Sequence, residues 1–457
     1  MKHRLVVAIF VGLAFLPSCK KEDVSAENTT PTPTIPTTTS ADALKDSALL
    51  YTKDIYLWYS QIPSSFNARS YDDPDKIMTA IRQYSTEPGF SGPVDKWSFG
   101  VKQAEWDNVS SGVSTGDFGL NIFFRAEGDL RVRAVEKESP AGAAGVRRGW
   151  RITAINGNTN ITTANADFIV QNIYQSSSSS VVFQKPDNSS VTLNLTAGVY
   201  NEHPAILDSV YNINSKKIGY FSFNSFLGDT TEIYNDFARV FNKFASANVN
   251  DVIVDLRYNG GGYVSVQEQM ADWLAPSSAN GQLMMTQKFN DKYPDYNSES
   301  QFHKSGSLNL NRIFFIVSSS TASASELLIN NLKPYMDVKL IGPSKTYGKP
   351  VGFFPIPVGD WYIFPVSFRT TNKNGEGNYF NGLAVNSQVP DGLDKDWGDV
   401  NESCLQSAIN YIANGSFRLQ SAGGRSSNYQ EQPEVKNSNI ILDKPSFKGT
   451  VDTRRMK

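Results

Sequence analysis

The sequence predicts a multidomain α/β protein, and three successive patterns along its 457 residues carry that prediction. Apolar residues recur at helical spacing between 41 and 100, short β-like runs fill about 115 to 198, and from about 217 strands and helices alternate. With 40% hydrophobic residues the chain has material for a sizeable core. Its net charge of −2, with the basic residues dispersed, gives no electrostatic footprint for nucleic acid.

In the first region Leu44, Ala48, Tyr51, Ile55 and Trp58 form the stripe of an amphipathic helix, with Ser40 placed as its cap. Asp73-Pro74 opens a second helix carrying Ile77, Met78 and Ile81 on one side. The stripe suits the core of a small N-terminal helical domain or a ligand surface. In the second region "FGLNIFF", "LRVRAV", "RITAING" and "VVFQK…SVTLNLT" read as strands, Asn156-Gly157 as a tight hairpin and "SPAGAAGV" as one short helix.

The third region begins with the strand "KIGYFSFNSF", followed by a helix that Asp229 caps and that carries Ile233, Phe237, Phe241 and Phe244. Then come the buried strand "DVIVDL", the glycine turn "RYNGGG", a helix around "VQEQMADWLA", the strand "RIFFIV", a helix from near Ser323, the strand "VKLIG" and the extended "WYIFPVSFRT". This pattern alone supports an α/β layer with parallel pairings. Past 416 the chain is rich in Ser, Asn, Gln and Gly, and little packed structure is expected there.

At the start, Lys2, His3 and Arg4 precede an apolar run from Leu5 to Leu16, the pattern of a secretory signal too short to cross a membrane comfortably. Leu16-Pro17-Ser18-Cys19 resembles the lipobox of bacterial lipoproteins, which implies a lipidated Cys19. An ordinary signal with an incidental cysteine is the alternative. "CKKED" resembles the export tags of surface lipoproteins, so an outer-membrane lipoprotein, periplasmic or surface-exposed, is expected, held by its acyl chains. The Thr/Pro-rich residues 20–40 read as an extended tether. Cys19 and Cys404 are the only cysteines, too few for a disulfide framework or a thiolate zinc site.

A serine hydroxyl needs a base and positioned oxyanion donors. Histidine is in short supply: His3 lies in the signal, and neither His203 nor His303 stands in a recognisable motif. Gly112-Val113-Ser114-Thr115-Gly116 matches the nucleophile-elbow pattern, but it sits in a polar stretch without the required strand and helix. "FFIVSSSTASASELLIN" has that context, because a serine between its apolar strand and its helix meets free amides and the positive dipole end. The same serines also suit a plain N-cap.

"SPAGAAGVRRGWRITAING" resembles a PDZ domain of the kind found in bacterial proteases. The resemblance implies that Phe118, Gly119, Leu120 and Asn121 form a loop that captures a peptide C-terminus while the peptide adds as a strand; a strand that merely packs is the alternative. "DLRYNGGG", "STASASELL" and "LIGPSKTYGKP", in that order, resemble the C-terminal-processing (tail-specific) proteases, peptidase family S41. That resemblance covers about 100 to 400 and implies a ClpP/crotonase-like spiral of ββα units.

Residue by residue, it implies Ser323 as nucleophile, Lys349 as base, and an oxyanion hole from the Ala324 N–H with that of Gly261, Gly260 being its near competitor. It gives Glu326 and Thr346 supporting roles. Lysine can serve only as a neutral amine, so Lys349 must be buried enough to lose its proton near neutrality. Where many relatives have glutamine four residues after the lysine, this chain has Phe353.

The resemblance implies no metal or organic cofactor. It implies protein or peptide substrates, recognised through their C-termini. The expected divisions are 1–19 signal, 20–40 tether, 41–100 helical, 101–199 PDZ-like, 200–415 catalytic and 416–457 tail. The expected function is a serine endopeptidase acting on secreted or envelope proteins; the alternative is a weakly active or inactive surface lipoprotein that binds peptides or other ligands. A crotonase-type acyl-CoA enzyme shares the oxyanion logic but does not suit a secreted chain.

Overall fold

A six-stranded sheet organises the second half of the chain in a computed structural model, which describes residues 41–417, 442 and 447–453. The expected signal, tether, Cys19 and Ser40 cap lie outside the described residues. The sheet runs Ser387–Gln388, Asp337–Gly342, Arg312–Ile316, Asp251–Asp255, Lys216–Phe223 and Ala205–Ile213. All neighbours are parallel except the last pair, which forms a hairpin.

Side-chain alternation places helices on both faces. Val252, Val254, Ile313 and Phe315 meet the helices Thr230–Ser246, Val264–Leu274 and Ala324–Leu332 on one face. Ile253, Phe314 and Ile316 meet Ser403–Asn414 on the other. The caps form as the sequence suggests: Asp229 accepts from Thr231 N (2.8 Å), and Asp73 accepts from Lys76 N (2.9 Å) at the head of Pro74–Ile81.

The β-rich region is a five-stranded antiparallel sheet, Leu120–Ala126, Asp129–Val135, Arg151–Ile155, Ser178–Gln184 and Ser190–Thr196 in spatial order, with its own apolar core. The segment Gly112–Gly116, expected as a polar stretch, is instead largely a strand: Val113–Asp117 pairs with Gly198–Asn201, and Ser114 bonds Asp117 at 3.2 Å. The β-branched Val113 and Thr115 suit pairing, and the partner strand lies far along the chain.

The helices Ala41–Ile55 and Pro74–Ile81 share a core with Val351, Phe353, Ile363, Phe364 and Phe380. The strand Phe99–Lys102 pairs antiparallel with Trp361–Phe364, which ties these two stretches together.

The expectation of little packed structure past 416 is corrected at its far end. Gly449–Val451 forms a strand parallel to Gly261–Tyr263, and Thr450, Val451 and Asp452 are buried. Leu442 is buried in the core of the β-rich region. Three paired residues in a polar stretch leave no local periodicity to read, because their partner is almost two hundred positions away.

A buried ion network joins the β-rich region to the glycine turn. Arg257 bonds Asp255 (2.7 Å), Asp391 (2.8 Å) and Glu402 (2.8 Å), while Arg148 reaches Asp391 at 2.5 Å. Burial pushes the Asp391 carboxyl up, but the Arg148 and Arg257 guanidiniums outweigh it and hold it well below the usual range. Asp391→Ala leaves Arg148 without this carboxylate and is expected to cost about 3–5 kcal/mol. A urea unfolding midpoint unchanged from wild type would refute that expectation.

Candidate active site

The strand Arg312–Ile316 runs out at a turn, and the helix Ala324–Leu332 begins directly after Ser323. Ser318 in the turn donates to the Arg257 carbonyl, and Ser325 in the first turn of the helix donates to the Asn259 carbonyl at 3.1 Å. These two hold the turn to the glycine loop. Ser323 is different: it is fully buried and stands at φ 59°, ψ −109°, a backbone state that costs a non-glycine residue about 1–3 kcal/mol.

Glu326 over-determines that geometry. Its carboxylate accepts from Ser323 N (2.8 Å), Lys349 N (2.8 Å), Gly348 N (2.7 Å) and the Thr346 hydroxyl. Ser323 N and Lys349 N share the same oxygen, so the two residues stand within two hydrogen-bond lengths of each other at the backbone. Burial raises the Glu326 carboxyl, and the Thr346 hydroxyl and three amides oppose it. With donors on both oxygens, the ionised form is the one these bonds fit.

Lys349 is buried, 1% exposed. Burial holds its amine well below the ordinary lysine value, against the opposing pull of Asp95 and Glu326. The amine lies 3.5 Å from the centre of the Phe353 ring and 5.8 Å from that of Trp97, and it donates to the Lys448 carbonyl at 3.3 Å. The Ser323 hydroxyl bonds that of Thr450. Among the described residues no hydrogen bond joins Ser323 to Lys349; each bonds the tail strand between Lys448 and Thr450.

The glycine turn completes the site. Gly261 has φ 105°, and a Cβ there would lie 2.4 Å from Gly449 O and 3.0 Å from both Ala322 O and Ala324 N. Only glycine allows the turn so close to the head of the helix. The Gly261 N–H donates to Asn259 Oδ1 at 2.9 Å, and the Gly260 carbonyl accepts from Gly449 N at 3.0 Å. On the other edge Gly261 O and Tyr263 N pair with Phe226, so strand alternation turns the Gly262 N–H toward the tail. Gly261 therefore forms the wall of the site, and Gly262 carries the amide facing it.

A cavity of about 390 Å³ runs beside this turn, with Gly119, Leu120 and Asn121 on one side and Gly260, Gly261 and Phe447 on another. The Phe118 ring is in the core of the β-rich region and its carbonyl accepts from Ala141 N. The Gly119 N–H is engaged by Asp117 at 2.7 Å, and Ile122 N, on the outer edge of its strand, by the Tyr174 hydroxyl at 3.0 Å. His203 sits among Glu232 and Glu138, outside this cluster.

Residues 217–386 match the model of peptidase family S41. This stretch of the chain is similar to the S41 peptidases. It is 26% identical over 265 residues to a "Probable CtpA-like serine protease" of Staphylococcus aureus, covering 56% of this chain and 49% of that one. It is 23% identical over 335 residues to the "Carboxy-terminal processing protease CtpB" of Bacillus subtilis, covering 72% and 65%. The chain thus spans about half the length of the first of these relatives. A crystal structure of a Bacteroides fragilis S41-family protein shares the fold, with TM-score 0.65 at 23% identity, over 81% of this chain and 97% of the other.

Within the matched residues the structure brings Ser323, Ala324, Glu326, Thr346, Lys349 and Gly261 into one cluster. Phe353, at the position noted for glutamine in relatives, presents its ring face to the lysine amine rather than an acceptor atom. Sequence reasoning missed Asn259, which holds the turn through Gly261 N, Ala322 N and the Ser325 hydroxyl. Its place between Arg257 and the glycines was the available signal. It also missed Thr450, which had none.

Glu326→Gln puts an amide NH₂ among groups that are all donors. We expect a loss of about 1–3 kcal/mol of stability and a larger loss of any activity of Ser323. Thermal melts and active-site labelling read the two effects, and a variant equal to wild type in both would contradict this role.

Proposed function

We propose that this chain is a serine endopeptidase with Ser323 as nucleophile and Lys349 as general base. One observation carries the reading: a single buried carboxylate oxygen of Glu326 binds the backbone N–H of both residues, and Lys349 is itself buried. The neutral amine accepts the Ser323 proton, and the serine oxygen forms a bond to the scissile carbonyl carbon. The negative charge moves to the carbonyl oxygen, toward the Ala324 N–H and the glycine turn. The ammonium of Lys349 returns the proton to the leaving amine, and water then cleaves the ester.

Gly119 and the first strand residues after it, Leu120 and Asn121, line the same cavity as the glycine turn, which supports selection of substrates through their C-termini. Attachment through a lipidated Cys19 belongs to the same reading, with secreted or envelope proteins as substrates. A second reading, a peptide-binding lipoprotein without hydrolysis, is favoured by one feature: the serine and lysine bond the tail rather than each other.

A peptide panel differing only at the C-terminal residues, incubated with wild type and Ser323→Ala and read by mass spectrometry, tests these readings. Fragments from wild type alone, with rates that follow the C-terminal residue, are expected. Identical fragments from both proteins exclude Ser323, rates indifferent to the C-terminus exclude the selection, and binding without fragments supports the second reading.

A further inference from the structure

The strand Gly449–Val451 lies in the catalytic cleft in the manner of a bound peptide. One edge pairs in parallel with the glycine strand, Gly449 N donating to Gly260 O at 3.0 Å. The other edge meets Phe353, which donates from its N–H to Thr450 O (3.0 Å) and accepts from Asp452 N (3.1 Å). Both edges are satisfied by main-chain bonds, the sequence-independent way a cleft holds an extended chain.

The side chains add selectivity. The Phe447 ring packs 5.2 Å from Trp106, 6.0 Å from Phe353 and 6.1 Å from Phe99, centre to centre, forming an aromatic pocket at the end of the cleft. Gly449 has no room for a side chain, because a Cβ there would lie 2.1 Å from the Phe447 ring and 2.7 Å from Phe353. Thr450 holds the Ser323 hydroxyl, and the Lys448 carbonyl takes the Lys349 amine. Gly449 O and Ala324 N flank the same side of Gly261.

We infer that residues 447–452 are an intramolecular peptide ligand of this cleft, and that the Phe447 pocket is a subsite for an aromatic side chain two residues ahead of a glycine. The inference rests on the proposed active site for its location but not on its chemistry. Tail and substrate exclude each other, since both need the hydroxyl of Ser323 and the edge of the glycine strand. A tethered ligand also acts at an effective concentration of about millimolar order, so it competes without tight intrinsic binding.

The test uses a fluorescent peptide spanning residues 445–457 and fluorescence anisotropy, with Ser323→Ala throughout so that no cleavage intervenes. A chain ending at residue 446 is expected to bind this peptide saturably, the full-length chain at least about tenfold more weakly, and the Phe447→Ala peptide at least about tenfold more weakly to the shortened chain. Equal binding to both chains, equal binding of both peptides, or binding no better than a scrambled peptide overturns the inference. Should the shortened chain fail to fold, hydrogen exchange on the full chain decides. Phe447→Ala must then speed exchange at Phe353 and Asp452, and unchanged rates overturn the proposal. Peptide binding with no labelling of Ser323 by a fluorophosphonate in any Ser323-bearing form would sink the hydrolase reading while leaving the tail ligand intact.

Discussion

Ser323→Ala is expected to reduce peptide cleavage by on the order of 10⁴-fold or more, because the hydroxyl proposed as nucleophile is gone while the amides remain. Folding should change little, by about 1 kcal/mol, since the lost bond is that between the Ser323 and Thr450 hydroxyls. Ser323→Gly is the informative companion. Glycine accepts φ 59° without strain, so this variant is expected to be as inactive and more stable than Ser323→Ala. Cleavage assays and thermal melts on the three proteins check both halves, and an alanine variant with near wild-type turnover ends the assignment.

Lys349→Met is expected to lower turnover about 10²–10⁴-fold, the usual share of a general base. Its effect on stability runs the other way. Burial holds the lysine amine of the folded chain well below its ordinary value, so the folded state gives up this proton at a lower pH than the unfolded state does. Between the depressed folded value and the ordinary value of 10.5 the unfolded chain binds more protons, and stability rises with pH across that window. Below it both states are protonated and the cost of burying the ammonium is fully present. Methionine fills the same space without charge, so the variant should melt no lower than wild type at neutral pH and lose the pH dependence in that window. A marked fall in melting temperature, with retained activity, would show that the amine is a structural cation.

How much of this was readable beforehand depends on how local each feature is. Asp73 and Asp229 cap helices through residues two or three positions away, and the alternation of Val252, Ile253 and Val254 follows from a strand buried on both faces. Ser323, Glu326, Thr346 and Lys349 lie in two short motifs, and one carboxylate gathers them. The tail strand was illegible, because Gly449 to Val451 pairs with residues almost two hundred positions away and shows no pattern of its own. The role of Phe353 was hidden for a similar reason. Its ring is placed by Phe99 and Phe447, which are distant in sequence, and by Phe364 of a neighbouring strand, and an aromatic face under an amine is not something composition announces.

The network around Arg257 shows the same limit. Asp255 is its near neighbour, but Asp391 and Glu402 arrive from a later segment whose charges look like ordinary surface residues. Burial of Arg148, Arg257, Asp255 and Glu402 around the half-buried Asp391 is a tertiary fact. It links the stability of the glycine turn to Arg148 in the β-rich region.

The most direct test of the account is covalent labelling by a fluorophosphonate, followed by mass spectrometry as a function of pH, in a chain ending at residue 446 or in full-length Phe447→Ala and in the Lys349→Met version of each. The account predicts one adduct, on Ser323, whose rate of formation climbs with pH as the buried amine loses its proton and stays low and flat once methionine replaces it. An adduct on another residue, or the same pH profile in both proteins, would contradict it.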